Sequence, residues 1–428
     1  MLKKKLLVLV SLLAMTFVGA ACGKSSESEE KKESNELIVW GWDKSFNGYA
    51  MDQAKEVYKE KTGKDVEIKF VEMAKADALK KLHTALASGV TDSLPDVVLI
   101  SDLNAQGYLL SYPDAFVPMD DMINYNDFAS YKKDALSYDG KGYGVPFDTG
   151  VAGLFYRTDY MAEIGYDAEK MQNLTWEEYL SLGEKLKEKG HLLQTFNPND
   201  NSELQIMLQS AGTWFTDDDG KANFTNNDAL KESLGIFKTL NDSDFVKVVS
   251  DWTEFTGAIN GGEVATVMRG SWISPTVMAA EDQSGKWAVA PVPTLSVENA
   301  THYSNQGGSS WFVLNKSANS KLAGEFLKNT FGESKDLYAT LLKEKNVMGT
   351  YLPATESDAY DGEEEFYGGQ QLNRDLATWL SKVPEVNTGA YTAEAQTALL
   401  GVAPEIFKGG GITKNLSEAE KQFEQSIK

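Results

Sequence analysis

Past residue 36 the chain alternates short apolar runs with longer stretches in which apolar residues return every three or four positions. Leu37 to Trp40 is a continuous apolar run, which predicts a strand buried on both faces. Over 49–63, Ala50, Ala54, Val57 and Tyr58 fall at helical spacing, and Gly63 supplies a stop. Val66, Ile68 and Phe70 alternate with Glu67 and Lys69 as a second strand. Leu79, Leu82 and Leu86 stripe a helix that ends at Gly89, and Asp96 to Ile100 reads as a third strand. This alternation predicts an α/β fold that opens as a doubly wound parallel sheet.

A second group of elements follows the Gly-rich, apolar stretch from Tyr143 to Tyr156. Trp176 to Lys189, Asp228 to Leu240 and Thr253 to Asn260 read as helices, and Val264 to Met268 and Trp287 to Val292 as strands. Another strand, Ser310 to Leu314, leads to helices at 321–330 and 335–344. The repeated α/β order points to two similar lobes in place of one long sheet.

The first residues, MLKKK, precede an apolar run from Leu6 to Ala20, the form of an export leader over 1–21. Cys22, the single cysteine of the chain, follows Gly19-Ala20-Ala21 directly, a stretch that resembles a lipobox and implies lipidation of Cys22. Residues 22–36 carry Ser, Glu and Lys with no large apolar side chain, so they read as a flexible tether. The 41 Lys and Arg against 63 Asp and Glu give a net charge of −22, and loss of Lys3, Lys4 and Lys5 with the leader takes it to −25. Such an acidic body is a poor partner for nucleic acid or for direct contact with lipid head groups, which leaves the anchor as its link to the membrane. One cysteine and three scattered histidines argue against a disulfide, a metal site or another cofactor.

The common nucleotide, esterase and zincin motifs are missing. Gly140 to Gly144 leads into an apolar stretch and not into a helix, so it makes a poor phosphate cradle. Asp217-Asp218-Asp219-Gly220 lacks the spacing of a calcium loop and reads as a hairpin turn. What stands out is aromatic residues beside small or polar ones at strand ends: Trp42 before Asp43, Trp214 after Thr213, Trp272 after Ser271, and Trp311 after Ser309-Ser310. Strand carboxyl ends border the ligand crevice of an open α/β sheet. A sugar, with flat C–H faces ringed by hydroxyls, suits an aromatic platform flanked by hydrogen-bonding groups. For any single tryptophan, a place in the core is the simpler reading.

These segments carry a family likeness. LIVWGWDKSFNG at 37–48, LPDVV at 94–98, GKGYGVP at 140–146, LFYRTD at 154–159, LTWEE at 174–178 and NGGEVA at 260–265 with Gly270-Ser271-Trp272 keep their order over more than two hundred residues. In that order they resemble the extracellular solute-binding proteins of carbohydrate ABC transporters, the class that includes the maltose-binding proteins. The resemblance implies a two-lobed, periplasmic-binding-protein-like fold of the class II type, with a ligand cleft between lobes joined by hinge segments. It implies an N-terminal lobe of 37–150 with 294–352 and a C-terminal lobe of 151–293 with 353–428. It also implies hydrogen bonds to ligand from Asp43 and Lys44, whose loop carries Asn47, another polar contact from Asp102, a stacking face on Trp272, and a further aromatic near Tyr391. With Trp42, Asp148, Trp214, Trp252 and Trp311, these make up the candidate ligand-contacting residues. Trp42 and the polar Phe147-Asp148-Thr149 depart from the maltose-binding pattern and fit another oligosaccharide, such as a galactoside, arabinoside or xyloside.

The leading expectation is a monomeric, lipid-anchored, non-catalytic protein on the outer face of the cell membrane that delivers an oligosaccharide to ABC permease subunits. Two other classes remain open at this point. One is a membrane-anchored glycoside hydrolase using two carboxylates. The other is a receptor for a cation such as a polyamine, which the acidic charge allows and which Lys44 and Arg269 near the expected cleft oppose.

Overall fold

The computed structural model describes residues 34–428. The leader, Cys22 and most of the 22–36 tether lie outside the described residues. Two sheets are built from β1 (Glu36–Gly41), β2 (Glu67–Glu72), β3 (Val97–Ser101), β4 (Gly144–Asp148), β5 (Ala152–Arg157), β6 (Thr266–Gly270), β7 (Trp287–Ala290) and β8 (Ser309–Val313). In the first, β1 pairs in parallel with β2 and β3, while β8 runs antiparallel between β3 and β4. The parallel start read from the sequence is present, and the later strand inserts into the same sheet in the opposite sense. All five residues of β3 are buried, as its uninterrupted Val-Val-Leu-Ile requires of a central strand.

In the second sheet, β6 and β7 flank β5, both antiparallel. Beyond β6, Leu192 bridges Val264 in parallel, and the short pair 195–196 and 247–248, also parallel, carries the ladder outward. Two parallel pairings on one side and two antiparallel ones on the other repeat the pattern of the first sheet. Each sheet centres a lobe with its own apolar core. Val39, Tyr58, Trp311 and Phe326 belong to the first, and Tyr156, Tyr179, Phe237 and Leu240 to the second.

Local signals explain where the helices start and stop. Tyr49–Thr62 and Lys75–Ser88 end at Gly63 and Gly89, each at φ 70, the left-handed cap that glycine adopts without strain. Trp176–Glu188 begins with a capping box in which Thr175 and Glu178 satisfy each other's backbone N–H. Thr216 and Ala222 bridge around the Asp217–Gly220 turn, so that acidic run is the hairpin expected of it. Helices at Ser202–Ser210, Leu372–Leu380, Thr392–Phe407 and Ile412–Ser426 add to those expected from the sequence. The last two pack on the second lobe through Leu399, Ile406, Leu416 and Phe423.

Two crossing segments join the sheets, 148–152 and 305–309, and they lie side by side. Gln306 N–H donates to Gly150 O at 2.7 Å, and Ala152 N–H to Ser304 O at 2.9 Å. The return crossing was expected at 294. Instead Thr301 and Ser304 still donate to Ser210 O and Ile206 O in the second lobe, so the chain leaves that lobe only after Ser304. Residues 348–350 pack against the first crossing, with Thr149 N–H donating to Met348 O at 3.0 Å.

Candidate functional site

Between the lobes lies a cleft of about 460 Å³, reached by Trp42, Phe46, Lys75 and Ser101 from the first lobe and by Ser271, Trp272 and Pro275 from the second. Asp148, Thr149 and Gly307–Ser309 of the crossings form its floor. Trp42 follows the end of β1, Ser101 ends β3, Asp148 ends β4 and Trp272 follows the end of β6. The strand-end rule therefore finds the cleft from both sides.

Trp272 is 45% exposed, yet fixed. Its indole Nε1–H donates to Gln306 O at 2.8 Å. A β-carbon at Gly270 would lie 2.4 Å from Nε1, and one at Gly150 would lie 2.9 Å from Cδ1. The ring thus rests on backbone that only glycine leaves bare. Across the cleft, the Lys75 ammonium sits 5.8 Å from the Trp42 ring centroid. Burial holds the Lys75 pKa below the ordinary lysine value, against the opposing pull of Asp102 and Asp148.

The floor is a charged network under the cleft. Lys132, wholly buried, donates from Nζ to Asp102 Oδ2 at 2.6 Å and to Ser309 O at 3.0 Å. Asp102 Oδ1 accepts from Ser310 Oγ at 2.9 Å. Asp148 Oδ1 accepts from Ser309 N–H at 2.7 Å and Ser309 Oγ at 2.5 Å. Burial raises the Asp148 pKa above the ordinary carboxylate value, while Lys132 and the Ser309 hydrogen bonds restrain the rise. Beside it, Asn305 Oδ1 accepts from Thr149 Oγ1 at 2.8 Å and Gly150 N–H at 2.9 Å, which ties one crossing to the other.

The other candidates divide. Asp43 caps the turn after it, its Oδ1 accepting from Ser45 and Phe46 N–H, and Asn47 Oδ1 accepts from Asp43 N–H at 3.1 Å. Both shape the loop that presents Trp42. Lys44 is exposed and outside the cleft lining, and its N–H donates to Glu72. Asp102 is committed to Lys132 below the surface of the cleft. Trp214 and Trp311 are core residues at 3% and 0% exposure, the former donating to Thr392 Oγ1 and the latter packed against Phe147 and Phe331. Tyr391 borders an adjoining groove that shares Lys75 and Leu103 with the cleft. Trp252 lies outside the cleft lining, beside Trp272.

Sequence reasoning missed Lys75, Lys132 and Ser309. Lys75 opens a helix, and no local pattern distinguishes it from the other surface lysines. Nor is Arg269 a cleft cation, being buried with Asp200 and Glu203. Lys75 and Lys345 line the cleft against the single carboxylate of Asp148, a balance unsuited to a polyamine.

Residues 53–364 match the family of bacterial extracellular solute-binding proteins. A lactose-binding protein of Rhizobium radiobacter is 42% identical over 390 residues, 91% of this chain and 92% of that protein. An arabinooligosaccharide-binding protein of Halalkalibacterium halodurans is 23% identical over 333 residues, 73% of this chain and 71% of that protein. The crystal structure of an extracellular solute-binding protein of family 1 superposes with a TM-score of 0.76 at 16% identity, covering 92% of this chain and 100% of that one. With two like-patterned lobes around a cleft and these matches along most of its length, the chain belongs to the bacterial extracellular solute-binding protein family.

Proposed function

We propose that this protein captures a galactoside-containing oligosaccharide outside the cell and hands it to the permease of an ABC transporter. The observation that carries the reading is a pair of indoles from opposite lobes, Trp42 and Trp272, lining one cleft with Asp148, Lys75 and Ser101. Its volume of about 460 Å³ falls within the ~300–1,000 Å³ usual for small-ligand sites. The galactoside class rests on the 42% identity to a lactose-binding protein. Bending at the paired crossings would bring Trp42 and Trp272 onto the sugar from two sides, a hinge closure. In this reading the lobes divide at residues 150, 305 and 352, and the protein acts as a monomer.

Calorimetry with lactose, other β-galactosides, arabinosides, xylosides and maltose tests the proposal. A galactoside should bind with micromolar affinity, about −8 kcal/mol, since transport needs release as well as capture. Saturating the same sugar at a hundred times its Kd should add about 2.7 kcal/mol of stability. Heats absent from every sugar at millimolar concentration would remove the proposal.

We also propose that Cys22 carries a lipid that holds the protein on the outer face of the cell membrane. No helix among the described residues is long and apolar enough to cross a membrane, and a leader followed directly by the single cysteine supports the anchor. Cys22→Ser should free the protein from the envelope or block its processing, with sugar affinity unchanged. A processed Cys22→Ser protein that stays on the membrane as firmly as the parent would refute the anchor.

A further inference from the structure

Trp252 opens the helix Trp252–Asn260 and is 53% exposed, an uncommon degree for an indole. It is nevertheless held in place. Phe255 stacks on it at 5.0 Å and 22°, and the Arg269 guanidinium lies 4.9 Å from the Phe255 ring centre. Arg269 is buried, with Asp200 at 2.8 Å and Glu203 at 3.2 Å. The helix start is pinned by Asp251 Oδ1, which accepts from Glu254 N–H at 2.9 Å, and by Glu254 Oε2, which accepts from Ser250 N–H at 2.7 Å. Even with Phe255 stacked on it, 53% of Trp252 stays accessible to solvent. The Trp272 ring stands 6.2 Å away at 36°, so the aromatic surface of the second lobe continues past the rim of the cleft.

We propose that Trp252 is an outer stacking subsite for one sugar ring beyond those held in the cleft beside Trp272, and that the ligand is longer than a disaccharide. The proposal rests on the sugar-binding reading and adds chain length to it. Continuity with Trp272 favours a ligand already held in the cleft. The exposed neighbours Ser250, Asp251, Thr253 and Glu254 offer hydroxyl and carboxylate groups suited to sugar hydroxyls. Two carboxylates beside the ring also disfavour an anionic lipid surface. Because the ring is already oriented, little side-chain freedom is lost when a sugar stacks on it.

The test is calorimetry on the wild-type protein and Trp252→Ala with disaccharide and trisaccharide pairs: lactose and galactosyl-lactose, arabinobiose and arabinotriose, xylobiose and xylotriose. For the sugar class that binds, the wild type should take the trisaccharide about ten-fold more tightly than the disaccharide. Trp252→Ala should lose that preference and keep its disaccharide affinity, and Trp252→Phe should retain part of the preference. A wild type without length preference overturns the subsite and leaves the sugar reading intact. So does a Trp252→Ala protein that keeps the preference or weakens both ligands equally. Failure of every sugar to bind the wild type overturns both.

Discussion

Replacing Lys132 with Met should lower folding stability by about 3–5 kcal/mol, the usual consequence of removing one partner of a buried ion pair. Methionine is near lysine in size, so the loss is electrostatic and not one of packing. Asp102 would remain buried with Ser310 Oγ as its remaining hydrogen-bond partner, and Asp148 would lose the cation that restrains its pKa. The pH dependence carries the diagnosis. A carboxylate whose folded pKa lies above its unfolded value adds stability below the unfolded pKa, and that contribution fades as pH rises through the folded pKa. Asp148 is such a group already, and without Lys132 its folded pKa climbs further. The deficit of Lys132→Met should therefore be small at ~pH 4 and widen toward ~pH 7 in urea melts. Adding Asp102→Asn should recover part of it. A deficit that is the same at both pH values would show that the network matters by shape and not by charge.

Trp272→Ala should weaken binding of the cognate sugar about thirty-fold. Stacking removes roughly 80 Å² of apolar surface from water at ~25 cal/mol per Å², or ~2 kcal/mol. Stability should fall only by the ~0.5–1.5 kcal/mol of the Gln306 hydrogen bond, because the ring is 45% exposed before any ligand arrives. Trp311→Ala is the natural control. That ring is fully buried among Phe147 and Phe331, so its truncation should cost ~3–5 kcal/mol of stability. Melting curves and sugar titrations on both variants distinguish the roles. If Trp272→Ala loses several kcal/mol of stability and keeps its affinity, Trp272 is a core residue.

The contrast between those two tryptophans marks how far the sequence was legible. Both follow small polar residues at a predicted strand end, and the pattern treats them alike. Trp272 lies just past β6, where the chain leaves the sheet, whereas Trp311 lies inside β8, which runs against its neighbours and turns that side chain into the first-lobe core. Strand direction is a property of the whole sheet and leaves no mark in the local sequence. The same reason hid the network of Lys132, Asp102, Ser309 and Asp148, whose members come from four separated stretches of chain. The parallel start was legible because Leu37–Trp40 and Val97–Ile100 are apolar without interruption. Helix Thr392–Phe407 was missed although Ala395, Leu399, Val402 and Ile406 keep the helical interval, because Gly401 and Pro404 interrupt the propensity that would have drawn notice.

The seat of Trp272 has a mechanical consequence. Gly150 and Gln306 belong to the two crossings, so in the proposed hinge closure the ring is seated on the pivot, although its own strand lies in the second lobe. A part close to a rotation axis travels little while the outer ends of the lobes sweep widely. In such a closure the indole would keep nearly the same place. Under the proposed function, a sugar would therefore meet a landing face already assembled, and closure would carry Trp42 toward that stationary ring.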